Sequence, residues 1–495
     1  MFIFALLPII VILLGMVVMK KPAMIVSPLT LVFTVILSLT VFKSEGSLVL
    51  NQTYGGVIEG GKIIFLIWSA FSMLIMLQRT KAMDGIQNAL ANITDDKRIL
   101  LIMIGFCFSI FLEGAAGAGT PTAICAPFLV GIGFSPLSAA MAGMLGAGIA
   151  PPFGGAGATT IVGTGAVADH VSLGSVTAMT GNFLMFGAIA VPFIMIYMLM
   201  GKNGFKGLVK YLLFTGVVCG LSMFIISNFI GPEIVSLGTG AIGVLSSFIY
   251  VKVTNHQTPE EFKCFVKQLS DAERREIPST FKSFLPYILL IVALPAIRFS
   301  FPLATLAKYG YVMWIAVTIF VIVFIGAIIL NGVKYYFKYV GEGLVKVIPA
   351  LVSMASLLSV ANIMKATGML SIIAEGLAKT AGPVYPIVAV LIGSLGTFIA
   401  GTGLGSNVMF GPMHMQAADL LNINKTVTFA CQNAGGGIGN MICPNNIVAA
   451  SATVNTLGQE GEIMKKCLPS WLILVLIYGV LGMIYAKILF ANVGL

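Results

Sequence analysis

Charge is scarce in this chain. Only 46 of its 495 residues are Asp, Glu, Lys or Arg, 9% of the total, against roughly 25% in ordinary soluble domains. A soluble globule of this length could not cover its surface with so few charges. Histidine is rarer still, with three residues. They form no H-E-x-x-H or comparable constellation, so a membrane-embedded enzyme is excluded and no cofactor or metal is called for. The seven cysteines include no C-x-x-C pair, which argues against a disulfide framework or a zinc site. A P-loop is missing, as are charged or carbonyl-rich filter motifs. An ATP-driven pump and a channel are both disfavoured. The net charge of +10 is spread between apolar runs rather than gathered into a basic domain, so nucleic acid is not a partner.

Apolar residues make up 58% of the chain and mean hydropathy is +1.02. They fall in runs, among them 2–19, 22–42, 57–77, 211–230, 233–251, 283–297, 311–330 and 467–486. Each approaches or exceeds the ~20 residues that cross a bilayer as a helix. With no basic n-region or A-x-A site, 2–19 reads as a first span and not a cleaved signal. The fold class is an all-α polytopic membrane protein of about 12–14 segments. Basic residues cluster on alternate connections: Lys20 and Lys21, 79–98, 202–210, 252–282, then Lys334, Lys338 and Lys346. The positive-inside rule makes these cytoplasmic and sets the N-terminus outside. Residues 252–282 carry 11 of the 46 charges, of mixed sign, and read as a short solvated helix joining two halves.

Glycine is uneven. Residues 113–165 hold 13 and 393–439 hold 10, and no charged residue lies between Gly114 and Gly165. Stretches this apolar and this broken are neither solvent loops nor plain spanning helices. Such backbone must be buried or line a cavity. A shift of 286 residues puts Gly119-Thr120-Pro121 on Gly405-Ser406-Asn407 and Thr160-Ile161-Val162 on Asn446-Ile447-Val448. In each module a Phe-rich run leads to a small-residue turn, a short arm, a further helix and a second broken stretch. We read two repeats, each with a re-entrant hairpin and a broken helix. The domains expected are scaffold spans at 1–98, a first hairpin and broken-helix module at 99–200, and scaffold spans at 201–253. A charged linker at 254–282, scaffold spans at 283–382, and a second module with the C-terminal span at 383–495 complete the chain.

A hairpin tip and a half-helix start leave N–H groups unpaired and carry partial positive charge, which suits an anion. The first turn contributes Gly117, Gly119, Thr120 and Pro121. The second contributes Thr402, Gly405, Ser406 and Asn407, with Asn433, Gly435, Asn445 and Asn446 from the broken stretch behind it. A small carboxylate could be held there without Arg or Lys. Gly143, Gly146 and Gly148 read instead as helix-packing positions. Glu113, with no basic neighbour, is the candidate for proton coupling, and His414 is a second titratable group. Lys365 and Glu375 read as caps or snorkelling residues.

Several of these segments resemble the L-lactate permease family: FLEGAAGAGTP at 111–121, SNFIGPE at 227–233, GSN at 405–407, QNAGG from 432 and CPNNIVAA ending at 450. The resemblance runs from about residue 54 to the C-terminus. It implies a bacterial inner-membrane symporter that imports lactate, and often glycolate, with a proton. It also implies the ion-transporter superfamily architecture of inverted repeats and a dimeric, elevator-like scaffold. The chain departs from the family pattern at Ala118, where an aromatic is usual. Gly403, Asn440 and Asn182 stand where Asp, Lys and Arg are usual. Those neutral positions keep open Na⁺ coupling or a different small organic acid.

Overall fold

The computed structural model describes residues 1–15, 19, 21, 23–117, 120–254, 256–264, 276–301, 311–456 and 459–490. Apart from one isolated bridge between Asp96 and Lys263, its regular structure is helical. The first group of helices is α1 (Phe2–Leu13), α2 (Ala23–Thr40), α3 (Gly46–Arg79) and α4 (Ala82–Ala91). Then follow α5 (Lys97–Ile102), a π-helical turn at Met103–Phe108, α6 (Ser109–Ala116), α7 (Thr120–Gly131), α8 (Pro136–Ala147), α9 (Gly154–Gly165) and α10 (Leu173–Met200). Next are α11 (Val209–Phe229), α12 (Val235–Thr254), α13 (Thr280–Ser300), α14 (Tyr311–Ile329), α15 (Tyr336–Ala366) and α16 (Met369–Ala381). The chain closes with α17 (Tyr385–Ala400), α18 (Gly403–Leu421), α19 (Lys425–Gly439), α20 (Pro444–Thr453) and α21 (Glu460–Ile484).

Among the described residues, seven helical segments are long and apolar enough to cross a membrane, and four shorter ones are apolar. The pair α8 and α9 is bent by 63° at its break, as a broken span or re-entrant segment would be. Surface chemistry fits a lipid solvent. On α11, Leu213, Leu221, Ile225 and Phe229 are exposed, while Thr215, Ser222 and Ser227 face inward. Ser222 and Ser227 donate to the Val218 and Phe224 carbonyls of their own helix, which satisfies the hydroxyls without water.

One body forms around the antiparallel pair α3 and α15, which small residues bring into close contact. A Cβ on Gly56 would meet the Ser359 backbone at 2.3 Å, and one on Gly60 would meet Ala355 at 2.8 Å. Trp68 Nε1 donates to the Val340 carbonyl at 2.7 Å, and Arg79 forks onto the Glu342 carboxylate. Helices α2 and α14 pack on this pair. The glycine-rich modules form the rest. The order of α6 to α10 recurs in α17 to α21: helix, tight turn, helix, turn, helix, break, helix, long helix. Their packing is reciprocal, since α9 lies on α18 while α20 lies on α7. The breaks meet in the middle, where a Cβ on Gly148 would strike Met441 and one on Gly437 would strike Pro152.

Of the connection after α12, expected as a solvated helix, the first part is docked and not free. Residues 256–264 lie against the start of α5, and 265–275 fall outside the described residues. Asp96 caps α5 and forks onto Arg98, with both side chains fully buried. His256 Nε2 reaches Asp96 Oδ2 at 2.9 Å, and Phe262 covers the Arg98 guanidinium at 3.9 Å. Arg98 also donates to the Gly204 and Lys206 carbonyls. Burial alone would raise the Asp96 carboxyl. The hydrogen bonds from Arg98 and His256 outweigh it and hold the group below its ordinary value.

Candidate functional site

The second glycine turn is a tight reversal between α17 and α18. Gly401 takes a left-handed conformation, φ 77°, that an L side chain rarely adopts. Thr402 then caps α18, its Oγ1 accepting from the Gly405 N–H at 3.1 Å. The remaining first-turn N–H groups, at Gly403 and Leu404, have no partner within a helix. Thr397, one turn before the tip, is fully buried, and its hydroxyl has no partner among the described residues. The space in front of Gly436 is shared: a Cβ there would lie 3.3 Å from Thr397 Oγ1, 3.7 Å from Gly403 Cα and 3.8 Å from Asn407 Oδ1.

From this turn a buried polar chain crosses between the modules. Asn407 Nδ2 donates to Asn433 Oδ1 at 2.8 Å and to the Thr159 carbonyl at 3.3 Å. Asn433 Nδ2 donates to Thr160 Oγ1 at 2.8 Å and Thr180 Oγ1 at 3.1 Å, and the Thr160 hydroxyl donates to the Pro152 carbonyl at 2.6 Å. On the other side Gln432 Nε2 donates to Ser406 Oγ, which donates to the Gly393 carbonyl, each at 2.8 Å. That leaves Gln432 Oε1 facing His414 Nε2 at 2.8 Å, so Nε2 carries the proton. In the neutral ring Nδ1 must then accept, and Tyr385 O–H donates to it at 2.9 Å. Thr160, Thr180, Ser406, Asn407, His414, Gln432 and Asn433 are all fully buried.

The first turn is organised differently. Gly117 is left-handed, φ 65°, and its Cβ position lies 3.1 Å from the Gly155 N–H, so this turn rests on the start of α9. Glu113, on α6, is buried, and a Cβ on Gly154 would come within 2.7 Å of its Oε1. The break itself holds three consecutive left-handed residues, Gly155, Ala156 and Gly157. A second buried carboxylate, Glu233, lies in the turn against which Gly157 packs.

Of the residues singled out from sequence, Thr402, Gly405, Ser406, Asn407, Asn433 and His414 come together at the second turn. Glu113, Gly117 and Pro121 are buried around the first. Gly119 lies outside the described residues, as do the side chains of Thr120 and Asn445. Gly435 is pressed against α17, 2.2 Å from the Val390 carbonyl at its Cβ position. Asn446 Nδ2 bonds Asn440 Oδ1 at 2.7 Å, and Asn182 Oδ1 accepts from Asn228 at 3.1 Å. Two of the neutral positions thus sit in amide pairs. Sequence reasoning missed Thr160, Thr180, Tyr385, Thr397 and Gln432 as parts of the site.

Broken helices that carry a buried, uncharged hydrogen-bonding core through a lipid-facing bundle define a multi-pass membrane permease. The sequence profile described as L-lactate permease matches residues 1–334 and 295–489, and the chain belongs to that family. It is 25% identical to the glycolate permease GlcA of Escherichia coli K12, over 98% of this chain and 95% of that one. It is 27% identical to an L-lactate permease of Halalkalibacterium halodurans, over 94% and 93% of the two chains. With an L-lactate permease of Streptococcus iniae the identity is 29% over 73% of this chain and 79% of the other. Membership makes the chain a transporter and not an enzyme.

Proposed function

We propose that this permease is a secondary active symporter importing lactate, or a related short 2-hydroxymonocarboxylate such as glycolate, together with H⁺. The observation that carries the reading is the neutral polar core between the modules, in a chain whose relatives are named for lactate and glycolate. A 2-hydroxy acid presents one carboxylate and one hydroxyl. The carboxylate suits the Gly403 and Leu404 N–H groups and the unpartnered Thr397 hydroxyl, with the α18 dipole adding partial positive charge. The 2-hydroxyl suits an amide of Asn407 or Gln432, each of which can donate and accept.

Among the described residues no permanent cation takes part in this core, so a proton moving with the anion lowers the cost of carrying it through hydrocarbon. Glu113 against the first break is the coupling group in this reading, with His414 poised at the second turn. The reciprocal packing of α9 on α18 and α20 on α7 supports an inverted repeat. The α3–α15 body is then the scaffold past which the modules move, in a dimer set in the bacterial inner membrane.

The test is uptake of labelled L-lactate and glycolate by proteoliposomes under an inward proton gradient and, separately, a sodium gradient. Proton-driven accumulation is expected. Accumulation under sodium alone would transfer coupling to the carbonyls at the two breaks, and no uptake of either acid by folded protein would sink the reading.

A further inference from the structure

Away from the polar core, a cavity of about 150 Å³ opens where the modules meet the α3–α15 body. Its walls are the C-terminal end of α9 at Gly165, Val408 and Pro412 of α18, and Asn362 and Lys365 of α15. Position makes it more than a packing gap. Helix α9 begins against Glu113, passes Asn407 with Gly163 pressed on that side chain at 2.7 Å, and ends at this cavity. Val408 follows Asn407 directly, so cavity and core lie on neighbouring faces of α18 at the same level of the helix. Lys365 is exposed and has no ion-pair partner among the described residues. The partial negative charge at the C-terminal end of α9 favours an ammonium there.

Sidedness adds to this. Lys334, Lys338 and Lys346 crowd the opposite end of α15, which the positive-inside rule assigns to the cytoplasm. Lys365 lies ~40 Å along the helix from Lys338, at the outer face from which an importer collects its cargo. Among the described residues the core has no formal positive charge with which to attract an anion out of water; the cavity has one.

We propose that this cavity is an outer capture site for the substrate carboxylate, with Lys365 as its counter-ion, from which the anion is handed across α18 to Asn407. The inference rests on the transport reading above and adds a second, cationic station to it. A three-carbon hydroxy acid is small enough for the cavity, and a lysine on its rim raises the local concentration of anions.

The experiment is concentration-dependent uptake of labelled L-lactate and glycolate by wild-type protein and four variants in proteoliposomes. Lys365→Met should raise KM about tenfold or more, as loss of a charge-assisted contact implies, with Vmax little changed. Lys365→Arg should restore most of the loss. Gly165→Leu should also raise KM by filling the cavity, and nothing lies within 4 Å of that Cβ position to disturb the fold. Lys338→Met, at the other end of α15, should leave KM unaltered. An unchanged KM in both Lys365→Met and Gly165→Leu, with wild-type transport intact, overturns the capture site and leaves the transport reading standing. A loss of thermal stability with unchanged KM in Lys365→Met makes the lysine a lipid-phosphate anchor and also overturns it. If the folded wild type takes up neither acid, the transport reading falls and the capture site with it.

Discussion

At the scale of single residues, Asn433 is the side chain on which the two modules depend together. Its amide nitrogen reaches Thr160 and Thr180 of the first module, and its oxygen accepts from Asn407 of the second. Asn433→Asp keeps the shape but turns the two donors into an acceptor, and it sets a negative charge beside the path of an anion. Uptake should fall by at least about a hundredfold, as expected when a buried charge-repelling group replaces a donor at a cost near 3 kcal/mol. Initial rates of labelled lactate uptake, with protein confirmed in the membrane, check this; near-normal rates would remove Asn433 from the site. Glu113 admits a different experiment. Glu113→Gln should abolish proton-driven accumulation while lactate counterflow, which needs no net proton movement, persists. Full proton-driven accumulation would assign coupling elsewhere, with His414 the next group to replace.

Among elements, the docked segment at 256–264 has the clearest energetic signature. Removing one partner of a buried ion pair strands the other charge, at about 3–5 kcal/mol, so Asp96→Ala should lower thermal stability in detergent far more than Lys263→Ala at the exposed pair with Glu260. The folded Asp96 carboxyl lies below its ordinary value, so its stabilisation is fully present above the ordinary carboxylate pKa of about 3.9 and fades as pH falls further. Wild type should therefore lose stability below about pH 4 in part through this contact, and the Asp96→Ala protein should show a shallower loss. Equal acid sensitivity in the two proteins would take the role away from Asp96. This segment also marks where sequence reading stops. The alternation of Glu and Lys after residue 259 has the pattern of a solvated helix, yet Phe262 and His256 find their partners some 160 residues earlier. The second turn was legible because Thr402-Gly403-Leu404-Gly405-Ser406 holds its own capping chemistry within five residues. Gln432, Thr160 and Thr180 were not, because each is an ordinary polar residue in a small-residue helix until the other module is brought against it.

Across the whole molecule, the distribution of basic residues agrees with the packing of α3 on α15. Helices α3 and α15 run antiparallel, with Gly56 beside Ser359 and Ser72 beside Gly343, so the basic end at Arg79 and Lys81 lies next to the basic end at Lys338 and Lys346. Two lysine-rich ends from distant parts of the chain thus share one face, as a cytoplasmic assignment requires. On that assignment the turn after α2 at Ser44 would be outside and the turn after α10 at Asn203 inside. Six of the seven cysteines are buried and Cys264 is partly exposed, so a Cys264→Ser protein is a quiet background for labelling. In intact cells a membrane-impermeant maleimide should modify Ser44→Cys and spare Asn203→Cys until the membrane is opened. The reverse pattern would turn the molecule over and move Lys365 to the cytoplasmic face, where it would meet cargo only on release. The same labelling also tests whether the modules move against the α3–α15 body. With Asn362→Cys at the cavity wall, saturating lactate should slow modification if the anion occupies that cavity or draws α18 across it. An unchanged rate, with uptake intact, would mean that the cavity stays open through the cycle and that access to the core lies elsewhere.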